Sequence, residues 1–364
     1  MKVGIVGAGI MGRLLAFTLV NAGHEAALFD TGKLNSSRVA AGLLSPIAEL
    51  ETADELIYHL GQDALKQHWP AIINKLEDKI YFQTSGSLVL SHPKDKADLT
   101  RLLDVIDTKI KNQSCYKKLT HDEVITLEPT LAKFNDVYHF QNEAHVDNQA
   151  LLDALMIKEI EWHKNTYIDA VLPGKVQDRK FDLVFDCRGL GAKSIFSDLH
   201  GIRGELIWLH APDVSIKHPI RLIHPRYPLY IVPRPNHVYL VGASEIHSES
   251  DHPISVRSTL ELLTAAYYVH PGFAEAHIIK TVTQCRPTLA SYLPKIKYTD
   301  GLIAINGLYR HGFLISPSIA ADIMQWLQQG TLCYPQLWEN LYDKQTVQVG
   351  KNMFTSRTIN CTNL

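Results

Sequence analysis

Met1-Lys2-Val3-Gly4-Ile5-Val6-Gly7-Ala8-Gly9-Ile10-Met11-Gly12 opens the chain, and Leu28-Phe29-Asp30 closes its first unit. The apolar run Val3 to Val6 predicts a buried parallel strand. Gly7-x-Gly9-x-x-Gly12 follows, then a helical pattern (Leu14, Leu15, Phe17, Thr18, Val20), then a second apolar strand, Ala26 to Phe29, that ends on an acid. Together these make a βαβ dinucleotide fingerprint. Gly7 allows the tight turn, Gly9 lets the backbone approach a pyrophosphate, and Gly12 allows close helix–strand packing. The helix N-terminus offers free N–H groups to phosphate. Asp30 is placed to accept hydrogen bonds from an adenosine ribose and would repel a 2′-phosphate, which disfavours NADP. The fingerprint alone does not separate NAD from FAD.

The chain has 364 residues, 46% of them hydrophobic, enough for two domains around a generous core. A formal net charge of −2 gives no basic field, so nucleic acid is not an expected partner. Lys111, Lys117 and Lys118 read as a solvated face. Cys115, Cys187, Cys285, Cys333 and Cys361 are scattered, with no metal-ligand spacing, so reduced thiols and no metal are expected. Met1 leads directly into the first strand, which leaves no room for a signal peptide, and no apolar run is long enough for a membrane span. The expected location is cytoplasmic.

After Asp30, small and hydroxyl residues dominate up to Pro46. They let backbone approach a large planar ligand, and Ser36, Ser37 and Arg38 are candidates for phosphate or ribose contacts. Glu51 to Leu76 predicts long amphipathic helices broken at Pro70. Tyr81 to Leu90 reads as two strands about a Ser-Gly turn, Asp95 to Ile110 as a helix, and Gln149 to Ile160 as a helix capped by Asp147 or Asn148. His145 reads as a structural turn histidine. Phe181 to Asp186 predicts a strand that returns to lie beside the first one, bringing Gly189 and Gly191 near the dinucleotide. Strand-like runs at 204–209, 227–232, 238–242 and 276–284 suggest a mostly antiparallel sheet, and Leu302 to Asn306 a last strand before a helix from Ser316 to about Gln328. The fold class is therefore α/β. A Rossmann-like nucleotide domain (1–50, 150–200, 290–335) is interleaved with a substrate domain on the antiparallel sheet (51–149, 201–289), and 336–364 is a tail. Such interruption by a second sheet is the habit of a flavoprotein, and it points to FAD.

In this order, Ala40-Ala41-Gly42-Leu43-Leu44-Ser45-Pro46 with Glu49, Val184-Phe185-Asp186-Cys187-Arg188-Gly189, Arg203-Gly204-Glu205, Tyr230-Ile231-Val232-Pro233-Arg234, Val241-Gly242-Ala243, Cys285-Arg286-Pro287 and Gly307-Leu308-Tyr309-Arg310-His311-Gly312 are specific. With the N-terminal fingerprint, the chain resembles the D-amino-acid oxidase superfamily, most closely its glycine oxidase type associated with thiamine biosynthesis. The resemblance implies a non-covalent FAD and oxidation of an amine alpha to a carboxylate, by hydride transfer to flavin N5 with oxygen as acceptor. By motif position it makes Arg286, Arg310 and Tyr230 the substrate-carboxylate clamp, and two guanidiniums and a phenol do suit an anion. It assigns Gly7, Gly9, Gly12, Asp30, Ser36, Ser37, Arg38, Ala41, Gly42, Leu43, Gly189, Gly307, Arg310 and Gly312 to the cofactor. Arg234 reads as structural.

The chain departs from its relatives at Cys187-Arg188, where small residues are common, and at His311, where asparagine is common. A bulky Arg188 could cover the flavin or reach a phosphate. The reading leaves other acceptors and substrates open: a dehydrogenase feeding a quinone or carrier, an oxidase of a carboxymethylamino-modified tRNA base, or a flavin-binding subunit of a larger complex. The expected partner is a small amino acid, in a chain that could form a homo-oligomer.

Overall fold

A computed structural model describes residues 1–110, 115–223 and 229–339. Lys111, Tyr227, Cys361 and all of the tail beyond residue 339 lie outside the described residues.

The first unit folds as β1 (Lys2–Val6), α1 (Ile10–Asn21) and β2 (Glu25–Phe29), with β1 and β2 parallel and in register from Lys2↔Glu25 to Val6↔Phe29. Strand alternation sends Val3, Ile5, Ala26 and Leu28 to one face of the sheet, into a core with Leu14 and Leu15 of α1 and Ile315 and Ile319 of the helix Gly312–Gln329. It sends Val6, Ala27 and Phe29 to the other, against Ile168, Val176 and Phe181. Leu183–Asp186 lies parallel beside β1, and Leu302–Asn306 parallel beside it. The seven-stranded sheet is completed by Glu161–His163 at one edge and by Lys295–Thr299 and Trp338–Glu339 at the other. Neither of the last two strands carried a clear signal in the sequence: Lys295–Thr299 is only half-buried and rich in lysine, and the edge strand Trp338–Glu339 is two residues long.

A second, eight-stranded sheet runs in the order His277–Thr288, His200–His210, Val238–Gly242, Leu229–Arg234, Ile220–Ile223, Ser87–Ser91, Tyr138–Phe140, Lys117–Lys118. Every pairing is antiparallel except that of Ile220–Ile223 with Ser87–Ser91. One face buries Ile220, Leu222, Ile231, Tyr239 and Val241 under the helix Val256–Val269. The opposite face turns Tyr230, Val232, Leu206 and Leu240 toward Val39, Ala41 and Leu43. The nucleotide unit and the second sheet therefore meet across that face.

Four local expectations change. The helix does not break at Pro70: Glu55–Asp63 runs through a π-helical turn, Ala64–His68, into Trp69–Lys75, so the turn absorbs the missing N–H. Phe82–Gln83 and Ser87–Ser91 form no hairpin but join different sheets. The helix Asn148–Ala154 stops short of Ile160, which precedes an unforeseen strand, Glu161–His163. His145 sits within a strand, Ala144–Val146, rather than in a turn; it is fully buried, neither ring nitrogen has a partner among the described residues, and burial depresses its pKa to about 3. No helix among the described residues is long and apolar enough to cross a membrane.

Candidate active site

One cleft of about 530 Å³ runs from the glycine turn of the first unit to a cluster of arginines on the second sheet. At the glycine end, Gly7 turns the chain at φ 103°. Gly12 is packed so closely on that turn that a Cβ would lie 2.0 Å from the Gly7 carbonyl oxygen. The N-terminus of α1 has no side-chain cap; Ser37 Oγ accepts from the Ile10 N–H at 3.0 Å, and the Met11 N–H has no partner among the described residues. Asp30 lines the cleft, accepting from the N–H groups of Ala8 at 3.1 Å and Gly32 at 2.9 Å, which leaves acceptor positions on both oxygens. An open helix N-terminus over a glycine turn, with a carboxylate at the end of β2, fits the pyrophosphate and ribose of a dinucleotide.

Most of the expected cofactor residues line this cleft: Gly7, Gly9, Asp30, Ser36, Ser37, Ala41, Gly42, Leu43, Gly189, Arg310 and Gly312. Gly12, Gly307 and Arg38 are not in the lining. Gly12 supports the turn from behind. Arg38 turns its guanidinium away to pair with Asp153, and its Nη1 also reaches the Gln149 carbonyl at 3.4 Å. Arg188 lines the cleft, but its guanidinium is already engaged. It grips the buried Asp186 through Nε and Nη2, at 3.0 and 2.8 Å, and donates through Nη1 to the Ile168 and Asp169 carbonyls at 3.1 and 2.7 Å. It staples the 166–169 loop to the end of the strand Leu183–Asp186.

At the arginine end, strand alternation decides which side chains face in. Tyr230 and Arg221 are cross-strand neighbours whose flanking residues, Ile231, Ile220 and Leu222, face the helix-covered core. Arg286 lies on the edge strand His277–Thr288, which extends past the sequence-based expectation of Gln284 and so carries the Arg-Pro pair into the sheet. Its guanidinium occupies the space a side chain at Gly204 would fill: a Cβ there would lie 2.4 Å from Nη2. Arg286 Nη1 donates to the carbonyls of Ser244 at 3.2 Å and Arg203 at 3.4 Å, and Arg286 makes no ion pair among the described residues. The Tyr230 hydroxyl has no hydrogen-bond partner among them, and burial pushes its pKa up to about 12 despite the neighbouring arginines.

Arg310 is differently placed. Nε donates to Glu49 at 2.6 Å, Nη1 to Glu245 at 3.1 Å and Nη2 to Thr52 Oγ1 at 2.6 Å, which leaves two of its roughly five N–H donors uncommitted. Burial would raise the Glu49 pKa, but Arg310, with His311 and Arg221, pulls it down to about 2. His311 is buried in the lining, and the loss of water around it lowers its pKa to about 4 although Glu49 and Glu245 oppose this. Arg221 pairs with Glu51 at 3.3 Å. Arg234 stays out of the cleft: its buried Nη2 ties the carbonyls of Ala41 and Val146 together at 2.6 and 2.8 Å. Sequence reasoning missed Glu245, Arg221 and Tyr309 as lining residues. Glu245 follows the quoted Gly242-Ala243 pair and Tyr309 precedes Arg310, but only the fold aims them inward.

A family model described as "FAD dependent oxidoreductase" matches residues 2–326. Among curated proteins, the chain is 33% identical over 331 residues to a candidate thiamine biosynthesis oxidoreductase, ThiO, from Rhizobium etli, covering 90% of this chain and 96% of that one. It is 25% identical over 356 residues to a glycine oxidase of Geobacillus kaustophilus, covering 89% and 92%. Among solved structures, iminodiacetate oxidase from Chelativorans shares the fold with a TM-score of 0.76 at 23% identity, over 89% of this chain and 94% of that one. L-proline dehydrogenase from P. horikoshii does so with a TM-score of 0.76 at 14% identity, over 94% and 98%. With its glycine turn, its interleaved sheets and a match that spans nearly the whole described chain, the protein belongs to the DAO family of FAD dependent oxidoreductases.

Proposed function

We propose that the protein binds FAD and oxidises the amine of a small amino acid, of the glycine or D-amino acid type, to the imino acid, with oxygen as acceptor. In this reading the FAD-binding part comprises 1–50, 150–200 and 290–335, and the substrate part 51–149 and 201–289. The observation that carries it is Arg286: an arginine that, among the described residues, has no ion pair and lies in a cleft wall near a phenol with no partner, at the far end of a dinucleotide cleft. An unpaired guanidinium is a receptor for a planar anion, and a carboxylate matches its fork.

Gly7, Gly9, Asp30, Ser36 and Ser37 would hold the dinucleotide, and the Met11 N–H would face its phosphates. FAD, when bound, supplies the two-electron acceptor for a hydride from the carbon alpha to the carboxylate. The protein's own residues bind and orient. Arg286 takes the carboxylate through its fork, the Tyr230 hydroxyl donates to the same anion, and Arg310 contributes one of its remaining N–H groups. Fixing the carboxylate at this end leaves the alpha carbon only a short arc to explore, which is the entropic part of catalysis. Leu206, Val232 and Leu240 keep the sheet face behind the site dry.

The test is anaerobic bleaching of the purified yellow protein against an amino-acid panel, followed by peroxide yield per imino acid in air. Bleaching by a small amino acid with stoichiometric peroxide is expected. A protein that retains no FAD, or one bleached by no amino acid, refutes the proposal. Bleaching without peroxide leaves the amine chemistry and moves the acceptor to a quinone or carrier.

A further inference from the structure

Glu245 follows the strand Val238–Gly242 and lines the arginine end of the cleft. Its Oε2 accepts from Arg310 Nη1 at 3.1 Å, while its side chain keeps 30% of its surface open. No donor meets hydrogen-bond geometry at its Oε1 among the described residues, although the Tyr309 hydroxyl, itself without a well-formed bond, lies beside the carboxylate and is held protonated by burial and by it. The preceding residue, Ser244, gives its carbonyl to Arg286 at 3.2 Å. The unpaired cation and a half-used carboxylate therefore sit at one rim, held to adjacent residues of one loop. Glu49 is a poorer candidate for a ligand: it is more enclosed, with its Oε2 on Arg310 Nε and its Oε1 4.0 Å from Arg221.

Arg286 alone would receive any small carboxylate. An amino acid differs from such an anion by an amine one carbon away, and recognising that difference requires an acceptor near the arginine. We propose that Glu245 is the specificity-determining residue for the amine: its free Oε1 accepts an N–H from the substrate's amino group while Arg310 holds Oε2 in place. The site thereby selects amino acids over amine-free carboxylates, which Glu245 repels. This rests on the amino-acid reading above.

Glycine and acetate differ by the amine, so they test it together. In the flavin-loaded Glu245→Gln protein the amide oxygen stays on Arg310 Nη1 and the NH2 group faces the amine, so the charged acceptor is lost there and the glycine kcat/KM should fall roughly tenfold. The acetate inhibition constant should stay the same or tighten, because a repelling charge has gone. Glu245→Asp keeps the charge and should keep most of the wild-type preference for glycine. Flavin content and thermal midpoint, measured alongside, show whether each variant is folded. If Glu245 only neutralises Arg310, glycine and acetate will both tighten in Glu245→Gln, and that common direction overturns the proposal. So does an unchanged glycine constant. Should the wild type oxidise no amino acid, the functional reading fails by itself, and calorimetric titration of glycine against acetate still decides whether Glu245 selects for an amine. Equal shifts for the two ligands would sink it there as well.

Discussion

At its glycine end the cleft is walled largely by one stretch of chain, Gly7 to Leu43, whereas at its arginine end Glu49, Arg221, Tyr230, Glu245, Arg286 and Arg310 come from separate segments. The first wall follows from a local rule: a strand, a turn that needs glycine, and a helix whose N-terminus stays open. The second exists only because the sheet His277–Thr288 to Leu229–Arg234 is in register and the Tyr309 N–H, beside Arg310, bonds the Pro287 carbonyl of its edge strand at 3.0 Å. The lesson is one of robustness: the glycine end should fail abruptly through backbone geometry, and the arginine end gradually, residue by residue, through charge.

The largest effect should come from Gly12→Ala. The added methyl would lie 2.0 Å from the Gly7 carbonyl oxygen, so backbone must move. Overpacking of this kind costs about 3 kcal/mol, and flavin should be lost on purification. Denaturant unfolding and flavin content measure both. Full retention of flavin would show that the turn has slack the geometry does not suggest.

Next come the two arginines, which should part company. Arg310→Ala leaves Glu49 and Glu245 facing each other without their cation, and removal of one partner from a largely buried pair costs on the order of 3 kcal/mol. Arg286→Ala breaks no ion pair, so stability should hardly change while kcat/KM falls roughly a hundredfold. Urea unfolding beside steady-state kinetics separates them. Equal stability losses would erase the distinction between a paired and an open arginine.

Acidification sharpens the same contrast. Glu49 keeps its charge in the folded protein down to about 2, against an ordinary 4.5, so the unfolded chain takes up the proton first as pH falls. Its contribution is therefore present above about 4.5 and lost as pH drops toward 2, on the order of 3 kcal/mol in all. Arg310→Ala should flatten this acid limb and Arg286→Ala should not. Stability measured from pH 6 down to 3 would reveal it.

The smallest effect belongs to Asp30→Asn. The amide keeps one acceptor but turns N–H toward the Ala8 or Gly32 amide, and charge toward the ribose is lost. FAD affinity should fall roughly tenfold, about 1 to 2 kcal/mol, with amino-acid preference unchanged. Fluorescence titration of the apoprotein with FAD measures it, and an unchanged affinity would mean the carboxylate serves only the two backbone amides.

The sequence by itself determined what depends on neighbours along the chain. Val3 to Asp30 could be read as a βαβ unit because periodicity, glycine spacing and the terminal acid are local facts. The strand beside β1, Leu183–Asp186, was legible for the same reason. Tertiary structure decided what depends on register and on meetings over long separations. Arg310 finds Glu49 across 261 residues and Glu245 across 65, and no pattern along the chain encodes those distances. Arg38 and Arg188 looked like ligand contacts because arginine beside glycine and serine suits a phosphate. The fold gave them Asp153 and Asp186 instead, since a carboxylate already in place satisfies a guanidinium before any ligand arrives. Arg286 kept its fork unpaired only because its neighbours in space are carbonyls and Gly204, and that is a property of strand pairing rather than of composition.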